Sequence, residues 1–434
     1  MRSKNGSLFR KKPALSMNPE GTVMNPEGKA PKPDRRLAPR PFPAHLLAAL
    51  CFWLSSRAAF PLSKSAFLPS NAPGQRLKAL LAEIGKEGEE KVAAALETLV
   101  ASEANAVLRG IEAYRRHPFR RPPETAPVLW QEGSTRLLDY GLDNGREGAP
   151  VLVVPSLVNR YYVLDLLPER SFLRYLAGRG LRPLVVDWGA PGAAERGFTL
   201  ADYVAGRLAR AFDAARNIAK RRLFLLGYCM GGLLSLALAL SREAELSALI
   251  LLATPWDFHA ERQKEARLFG LLADFFPLLS KKSGSLPVEV VQSFFFLLDP
   301  FLGRRKFARF AALDEEEARG FVALEDWVND GVPLAGRVAE ECARSWYGEN
   351  EPSRGLWRLG GERIRPELLR SPVLVGLPAA DRIVPPGSAA PLAALFPRAT
   401  SLRAPLGHVG MMTAGRAAAA LWAPLADWVS ERAL

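Results

Sequence analysis

The feature that most constrains the fold of this chain is a single tight joint between a strand and a helix. An apolar run over 223–228 leads directly into Cys229, and a strongly helical, apolar stretch follows from 230 to 240. Glycines at 227, 231 and 232 leave room for strand and helix to approach each other closely. A joint of this kind indicates a sheet with helices packed on it, and it holds the central side chain on an exposed corner.

From residue 135 onward, short β-rich runs alternate with helical stretches. Strands are predicted over 136–140, 151–155, 181–188, 223–228, 248–254, 373–377 and 400–404. Helices are predicted over 171–179, 199–219, 230–241, 386–396 and 413–433. Near-continuous apolar strands separated by amphipathic helices indicate a mostly parallel sheet covered on both faces. The predicted fold class is therefore α/β, of the α/β-hydrolase type.

The interval 256–365 breaks this rhythm, because it has helical periodicity and many aromatics but no clear strand–helix unit. An insertion of this length after one strand and before the next is interpreted as a helical cap over the site. Most of its aromatics are expected to form the core of the cap, and the alternative is that they line the site and exclude water. The catalytic domain is accordingly placed at 131–434, with the cap inside it.

The first 42 residues are rich in proline and carry ten Lys or Arg against three acidic residues, within a formal net charge of +13 for the chain. Such a composition predicts a disordered basic tail over 1–42. A helical segment is predicted over 43–130, because apolar residues recur at helical spacing between 76 and 115. A basic tail can attract polyanions, but no aromatic interleaving or recognition fold accompanies it, so no nucleic-acid partner is expected.

The three cysteines, Cys51, Cys229 and Cys342, lie far apart and show no metal-ligand spacing. This pattern argues against a disulfide framework and a metal site, and it favours a reducing, cytoplasmic compartment. No apolar run reaches the length that crosses a bilayer. The apolar stretch 45–54 lacks a convincing cleavage site, so it is predicted as an amphipathic or buried helix rather than a signal sequence, with docking onto a hydrophobic surface as the alternative.

Cys229 is the candidate nucleophile. It sits at the predicted N-terminus of a helix, where the dipole and the free N–H groups favour a thiolate. The N–H of Met230 is positioned to be one half of an oxyanion hole. No Gly-x-Ser-x-Gly sequence occurs in the chain, so no serine competes for this role. The alternative is a buried structural cysteine in an ordinary strand–helix joint.

A cysteine nucleophile requires a base and an orienting carboxylate. Of the four histidines, only His408 follows a predicted strand and precedes the last helix. Asp381 follows the strand predicted over 373–377. The order nucleophile, acid, histidine is that of α/β-hydrolases, and both partners fall at the carboxyl ends of strands. The alternatives are a structural histidine and an ordinary turn aspartate.

Several motifs in a fixed order give the chain a family resemblance. They lie at 155–166, 185–191 with 199–203, 227–232, 325–330, 381–386 and 407–410. Over roughly 133–434 the chain resembles polyhydroxyalkanoate synthases, and among them the short, two-subunit (class III) type. One position departs from the family pattern, because Arg382 stands where members usually carry a histidine. The first 60 residues show no counterpart in the family.

The resemblance implies Cys229 as acyl acceptor with Asp381 and His408 as its partners, and the loop around Val158 as the second oxyanion donor. It implies a 3-hydroxyacyl-CoA substrate, a growing polyester chain as acceptor, and no bound cofactor. The implied partners are a second synthase subunit or a second copy of the chain, and the surface of a polyester granule. Two rival hypotheses stay open: a thioesterase, esterase or polyester depolymerase with the same triad, and a non-catalytic granule or scaffold protein.

Overall fold

A single eight-stranded sheet forms the centre of the computed structural model, which describes residues 16–17, 23–24, 36, 39–62, 72–141 and 148–433. The strands are, in chain order, β1 (Val128–Glu132), β2 (Thr135–Asp139), β3 (Ala149–Val154), β4 (Leu181–Asp187), β5 (Leu223–Tyr228), β6 (Leu246–Leu252), β7 (Val373–Pro378) and β8 (Ala399–Ala404). They lie side by side in the order β8-β7-β6-β5-β3-β4-β2-β1. Strands β3 to β8 are parallel, and β1 and β2 are antiparallel at one edge.

All seven predicted strands belong to this sheet, and the predicted α/β class with a mostly parallel sheet is confirmed. The prediction missed the eighth strand, β1. This strand lies at the sheet edge and is largely solvent-exposed, with Val128 47% exposed. A strand that buries so little carries no strong apolar signal in its sequence.

The helices of the described residues are α1 (Phe42–Leu62), α2 (Ala72–Glu87), α3 (Glu89–Arg116), α4 (Phe172–Gly178), α5 (Ala209–Ala219), α6 (Met230–Ser241), α7 (Gln263–Leu271), α8 (Phe276–Ser280), α9 (Val288–Leu298), α10 (Leu302–Phe310), α11 (Glu315–Asn329), α12 (Gly336–Glu341), α13 (Pro386–Ala393), α14 (Gly410–Thr413) and α15 (Ala423–Ala433). Helices α5, α6 and α13 cover one face of the sheet, and α4 and α15 cover the other. The predicted covering of both faces is therefore confirmed. Helices α5 and α15 are each preceded by a π-helical stretch, Asp202–Leu208 and Ala418–Trp422 respectively.

Helices α7 to α12 lie in the chain between β6 and β7, in the interval that the sequence predicts as a cap. Some of the cap aromatics are core residues, as expected: Phe307, Trp327 and Trp346 are buried. Others, including Phe295 and Phe301, are exposed on the outside. The expectation that the cap aromatics are mainly core therefore holds for only part of the set.

The N-terminal helices α1 and α3 pack against cap helices α10 and α11. The residues they bury together are Ala49, Trp53, Val107, Tyr114, Phe307, Phe310 and Val322. Helices α2 and α3 confirm the helical prediction for 76–115. Helix α1 contains the stretch 45–54, but this stretch is not a buried helix: Ala49 and Trp53 are buried, whereas its leucines at 46, 47, 50 and 54 are exposed. No helix of the described ranges is long and apolar enough to cross a bilayer.

The predicted disordered tail over 1–42 is wrong at its end. Arg36 is buried and bonded to the cap, and α1 already begins at Phe42. Local composition could not reveal this, because the partners of Arg36 come from distant parts of the chain. Short strands at Ser16–Met17 and Val23–Met24 pair with each other. The rest of the predicted tail lies outside the described residues.

The joint between β5 and α6 is as close as its glycines allow. A Cβ on Gly227 would lie 2.4 Å from the Cα of Gly232. A Cβ on Gly231 would lie 2.1 Å from the backbone oxygen of Val154 at the end of β3. Distances under about 3 Å are far inside van der Waals contact. Side chains at these positions would push α6 away from the sheet and move the residue between them, Cys229.

We expect Gly231→Ala to lower the free energy of unfolding by about 1–3 kcal/mol, because the new methyl group overpacks against backbone that cannot rotate away. Gly178→Ala is the matched control, since a Cβ there meets nothing within 4 Å. The control should be neutral or slightly stabilising, because alanine favours helix over glycine. Urea denaturation of both variants measures the difference, and equal midpoints would contradict the close-packed joint.

Candidate active site

Cys229 lies at the corner between β5 and α6, with φ 56° and ψ −128°. Its backbone N–H donates to Leu252 O at 2.9 Å, and its carbonyl accepts from the N–H of Gly232 at 2.9 Å. These bonds hold a residue other than glycine at positive φ, a conformation that costs free energy and is common at functional sites. The thiol is partly exposed, whereas Cys342 is buried.

Asp381 lies in the loop after β7 and is 5% exposed. Its Oδ1 accepts two backbone hydrogen bonds, from Ile383 N at 2.7 Å and from Val384 N at 2.8 Å. Its Oδ2 lies 2.6 Å from His408 Nδ1. The two N–H groups fix the carboxylate in place, so its second oxygen is held in a constant direction toward the imidazole.

His408 lies in the loop between β8 and α14 and is 8% exposed. Tyr228, the residue just before the nucleophile, donates from its hydroxyl to His408 O at 3.1 Å, and the two rings stack with centroids 5.2 Å apart. With Nδ1 engaged by Asp381, Nε2 is the imidazole nitrogen left to face Cys229, which lies close enough to raise the pKa of His408. The structure thus brings together the three residues that the sequence singled out.

The surroundings of His408 and Tyr228 shift the pKa values of both side chains. Burial disfavours the charged imidazolium and lowers the pKa of His408, but the Cys229 thiolate and the hydrogen bonds to Asp381 and Cys229 outweigh it and raise the pKa of His408 to about 10. Burial raises the pKa of Tyr228, and the nearby Cys229 and Asp381 raise it further. Tyr228 therefore stays neutral beside the imidazole of His408.

The two predicted oxyanion donors lie on either side of the close contact at Gly231. Met230 is the first residue of α6, where backbone N–H groups have no partner inside the helix. Val158 lies in the loop after β3, and the backbone oxygen of Pro155 in that loop lies 2.7 Å from where a Cβ on Gly231 would stand. The N–H of Val158 donates to the hydroxyl of Ser156 at 3.2 Å.

Arg382, the departure from the family pattern, points away from the triad. Its side chain is 80% exposed, and its Nη1 lies 3.6 Å from Asp299 Oδ2 in the cap. The hydrogen bond between Asp381 and His408 forms without any contribution from the side chain of Arg382. A change from histidine to arginine at this position therefore leaves the triad geometry intact.

Aromatic residues of the cap and the loop after β6 extend toward the nucleophile. Desolvation raises the pKa of Tyr347, and the nearby Cys229 and Cys342 raise it further, so Tyr347 lies close to the thiol although the residue is 37% exposed. Its ring is 4.7 Å from that of Phe269 and 4.9 Å from that of Phe258, measured between centroids. Among the described residues, no group of three His, Cys, Asp or Glu side chains is arranged to hold a metal ion.

Sequence reasoning missed the part that Tyr228 plays in this site. Its ring and hydroxyl fix the backbone and the ring plane of His408, which lies 180 residues away in the chain. The only available signal was its place directly before the nucleophile. That position is equally consistent with a residue of the sheet core, so the sequence does not distinguish the two.

Comparison with known proteins agrees with this geometry. A family model described as alpha/beta hydrolase fold matches residues 149–414. The chain therefore belongs to the α/β-hydrolase family, which fits the sheet order and the position of the turn at Cys229 between β5 and α6.

Within that family, three relatives that match most of the chain carry the same name. The poly(3-hydroxyalkanoate) polymerase subunit PhaC of Allochromatium vinosum is 30% identical over 315 residues, which cover 70% of this chain and 88% of that protein. Proteins of the same name from Haloferax mediterranei and Synechocystis sp. are each 29% identical, and they match 70% and 65% of this chain. The chain spans 63% of the Haloferax protein and 78% of the Synechocystis protein. The chain belongs to the PhaC family of poly(3-hydroxyalkanoate) polymerases, as its motifs predicted.

The raised pKa of His408 predicts a pH dependence of stability. Because the folded-state pKa of about 10 lies above the ordinary 6.5, the stabilisation is fully present below pH 6.5 and is lost as the pH rises toward 10. We expect the unfolding free energy of the wild type to fall across this window relative to that of His408→Gln, measured by urea titration at several pH values. In Cys229→Ala the pH range over which this stabilisation is lost should be narrower, because the interaction with Cys229 is the largest of the contributions that raise the pKa of His408. Parallel curves for wild type and His408→Gln would contradict the assignment.

Proposed function

We propose that this protein is a polyhydroxyalkanoate synthase, an acyltransferase that moves 3-hydroxyacyl groups from CoA thioesters through a thioester on Cys229 to a growing polyester chain. The observation that carries the proposal is a cysteine, rather than a serine, on the strand–helix turn beside a hydrogen-bonded histidine–aspartate pair, in a chain of the PhaC family. The same geometry supports Cys229 as nucleophile, His408 as base and Asp381 as the residue that orients the imidazole.

In the first step the Cys229 thiolate attacks the carbonyl carbon of the CoA thioester. A new C–S bond forms to Cys229, the C–S bond to CoA breaks, and the leaving thiolate takes a proton from the His408 imidazolium. The entering and leaving groups are both thiolates, so the acyl-enzyme forms without a large drop in free energy. A cysteine therefore suits a reversible loading step better than a serine.

In the second step the 3-hydroxyl group of another acyl unit attacks the thioester on Cys229. His408 takes the proton of that hydroxyl, a C–O bond forms, and the C–S bond to Cys229 breaks to restore the thiolate. A positioned general base contributes about 10²–10⁴-fold to such a step. Asp381 either orients the imidazole or assists the incoming alcohol.

Negative charge on the carbonyl oxygen needs donors in both steps. The proposed donors are the N–H groups of Met230 and Val158. Because the N–H of Val158 is bonded to Ser156, it must exchange that hydroxyl for the substrate oxygen during the reaction. The nearby aromatics of the cap, with Tyr347 foremost, are proposed to exclude water, so that a chain end rather than water accepts the acyl group.

The partners of the reaction form a second part of the proposal. The relatives are named as subunits, which supports a second synthase subunit or a second copy of this chain as partner. A set of exposed apolar side chains along the cap supports contact with the surface of a polyester granule. These side chains are Leu268, Leu271, Phe275, Leu278, Leu279, Phe295, Leu297, Leu298, Phe301 and Leu302.

Incubation of the purified protein with 3-hydroxybutyryl-CoA tests the proposal. We expect free CoA and chloroform-soluble polymer to appear together, because the acyl group leaves CoA and enters an ester. Release of CoA with only free 3-hydroxybutyric acid would refute polymerisation and support a hydrolase on the same scaffold. If CoA release is absent in both the wild type and Cys229→Ala, the result would support a non-catalytic role.

The cysteines offer a matched pair of variants for this assay. Cys229→Ala should abolish CoA release, whereas Cys51→Ala should retain it, since Cys51 is exposed on α1. Each variant removes one thiol, so a general effect of thiol loss would appear in both. Equal activity of the two variants would contradict the role of Cys229.

Asp381→Asn tests the orientation of the imidazole separately from the nucleophile. The amide keeps the shape of the carboxylate but favours the wrong histidine tautomer, so we expect kcat to fall by about 10²–10⁴-fold with little change in KM. Steady-state CoA release measures both constants. Arg382→Gln is the neighbouring control, because the side chain of Arg382 is exposed and lies next to Asp299 of the cap. A similar loss in both variants would contradict a specific role for Asp381.

A further inference from the structure

One sequence motif takes no part in the chemistry described so far, the stretch 325–330 at the end of α11 and just beyond it. Its polar and aromatic side chains are Glu325, Asp326, Trp327, Asn329 and Asp330, which we name the α11 junction. Every one of these five side chains has a hydrogen-bonded partner outside α11. The partners lie in the loop after β3, in the N-terminal part of the chain and in cap helix α10. The segment therefore connects these three parts of the molecule.

One group of bonds reaches the loop that carries Val158. Trp327 donates from Nε1 to the backbone oxygen of Arg160 at 2.8 Å. Asn159 forms an isolated antiparallel β-bridge with Gly331, directly after the junction. The main chain of both residues that follow Val158 is therefore held, at Asn159 by the backbone of Gly331 and at Arg160 by the side chain of Trp327.

Asp330 adds two side-chain contacts between the α11 junction and the same loop. Asp330 accepts from the hydroxyl of Tyr162 at 3.0 Å, and its other oxygen lies 3.6 Å from Arg160 Nε. The α11 junction is also bonded to another cap helix, because the side chain of Gln292 in α9 donates to Val328 O at 2.7 Å. The loop after β3 is thus attached over 159–162 to a segment that is itself fixed.

A second group of bonds reaches the N-terminal part of the chain. Arg36 Nε lies 2.7 and 3.0 Å from the two carboxylate oxygens of Asp326. The same guanidinium donates to the backbone oxygens of His117 and Phe119, and Tyr114 donates to Asp326 at 2.9 Å. Arg36 is only 8% exposed, whereas the side chain of Asp326 is 25% exposed, so loss of the carboxylate would leave a buried guanidinium charge without its partner.

The remaining members of the junction complete the attachment. Asn329 accepts from the backbone N–H of Arg40 at 2.8 Å and donates to Tyr114 at 3.0 Å. Glu325 accepts from Lys306 of α10 at 2.6 Å. One face of α11 therefore binds the N-terminal segment and the cap, while its end binds the loop of Val158.

We infer that the α11 junction is a positioning device for the oxyanion site, through which Arg36 and Trp327 set the direction of the Val158 N–H. This inference rests on the proposed role of that N–H as an oxyanion donor. A backbone donor is useful only when it points at the developing charge, and a displacement of about 1 Å can cost 10²-fold in rate. The N–H of Val158 belongs to the peptide bond that joins residues 157 and 158. Contacts at 159 and 160 on one side and the bond to Ser156 on the other restrict rotation about the backbone of Val158, and this restriction sets the direction of its N–H.

Two reactions of the same thiol separate positioning from folding. Acylation of Cys229 by an ester or a thioester develops charge on a carbonyl oxygen and needs oxyanion donors, whereas alkylation by iodoacetamide develops no such charge. The two readouts are the burst of p-nitrophenol from p-nitrophenyl acetate and the rate of alkylation. A Cys51→Ala background removes the exposed thiol that would otherwise react as well.

Trp327→Phe removes the N–H that holds Arg160 and keeps an aromatic ring in its place. We expect acylation to slow by roughly 10- to 100-fold, in kcat rather than KM, while alkylation stays within about twofold of wild type. Arg36→Met should have the same effect as Trp327→Phe, with slower acylation and nearly unchanged alkylation. Arg36→Lys should recover part of the lost acylation rate, because it keeps a charge beside Asp326. Trp428→Phe is the matched control, since Trp428 is buried and its Nε1 donates to Thr400 at 3.3 Å on the far side of the sheet from α6.

Three outcomes would overturn the inference: acylation by Trp327→Phe at the wild-type rate, an equal fall in acylation and alkylation, or an equal loss in Trp428→Phe. Its failure is distinguishable from failure of the proposed function. A wild type that is acylated by p-nitrophenyl acetate but releases no CoA from 3-hydroxybutyryl-CoA refutes the synthase, and the variants are then compared on the ester. A wild type acylated by neither donor refutes both.

Discussion

Strand β5 and helix α6 approach so closely that a side chain on Gly227 would collide with the backbone of α6, and one on Gly232 would collide with the side chain of Thr254. This contact forces the residue between them to turn at positive φ, and it presents Cys229 at the carboxyl edge of the sheet. The ends of β7 and β8 open at the same edge, so Asp381 and His408 meet there although 27 residues separate them. A change in the spacing of β5 and α6 would move the thiol relative to both partners.

The sequence predicted the sheet well because the central strands are buried on both faces and therefore read as continuous apolar runs. It predicted the triad for a different reason. Only one histidine of four follows a strand near the end of the chain, and only Cys229 stands between small residues at a strand–helix joint. Parallel topology then requires the three side chains to emerge at one edge, so spacing along the chain carried information about distance in space.

Features that depend on partners far away in the chain were not predictable in this way. Arg36 looks like one more charge in a basic tail, and only the folded cap shows that it is buried against Asp326. The exposed edge strand β1 buries too little to leave a pattern. Arg382 stands where members of the family usually carry a histidine, and only the structure shows that its exposed side chain extends to Asp299. In each case the deciding fact is the direction of a side chain, which periodicity does not encode.

The 290 positions that separate Arg36 from Asp326 have a consequence for biosynthesis. During translation the guanidinium emerges long before its carboxylate, and contacts between such distant residues form late because a long loop must close first. The N-terminal segment therefore waits for the cap before it can dock. A nascent chain can therefore already carry Cys229 on its strand–helix turn while the bonds between the N-terminal segment and α11 are still missing.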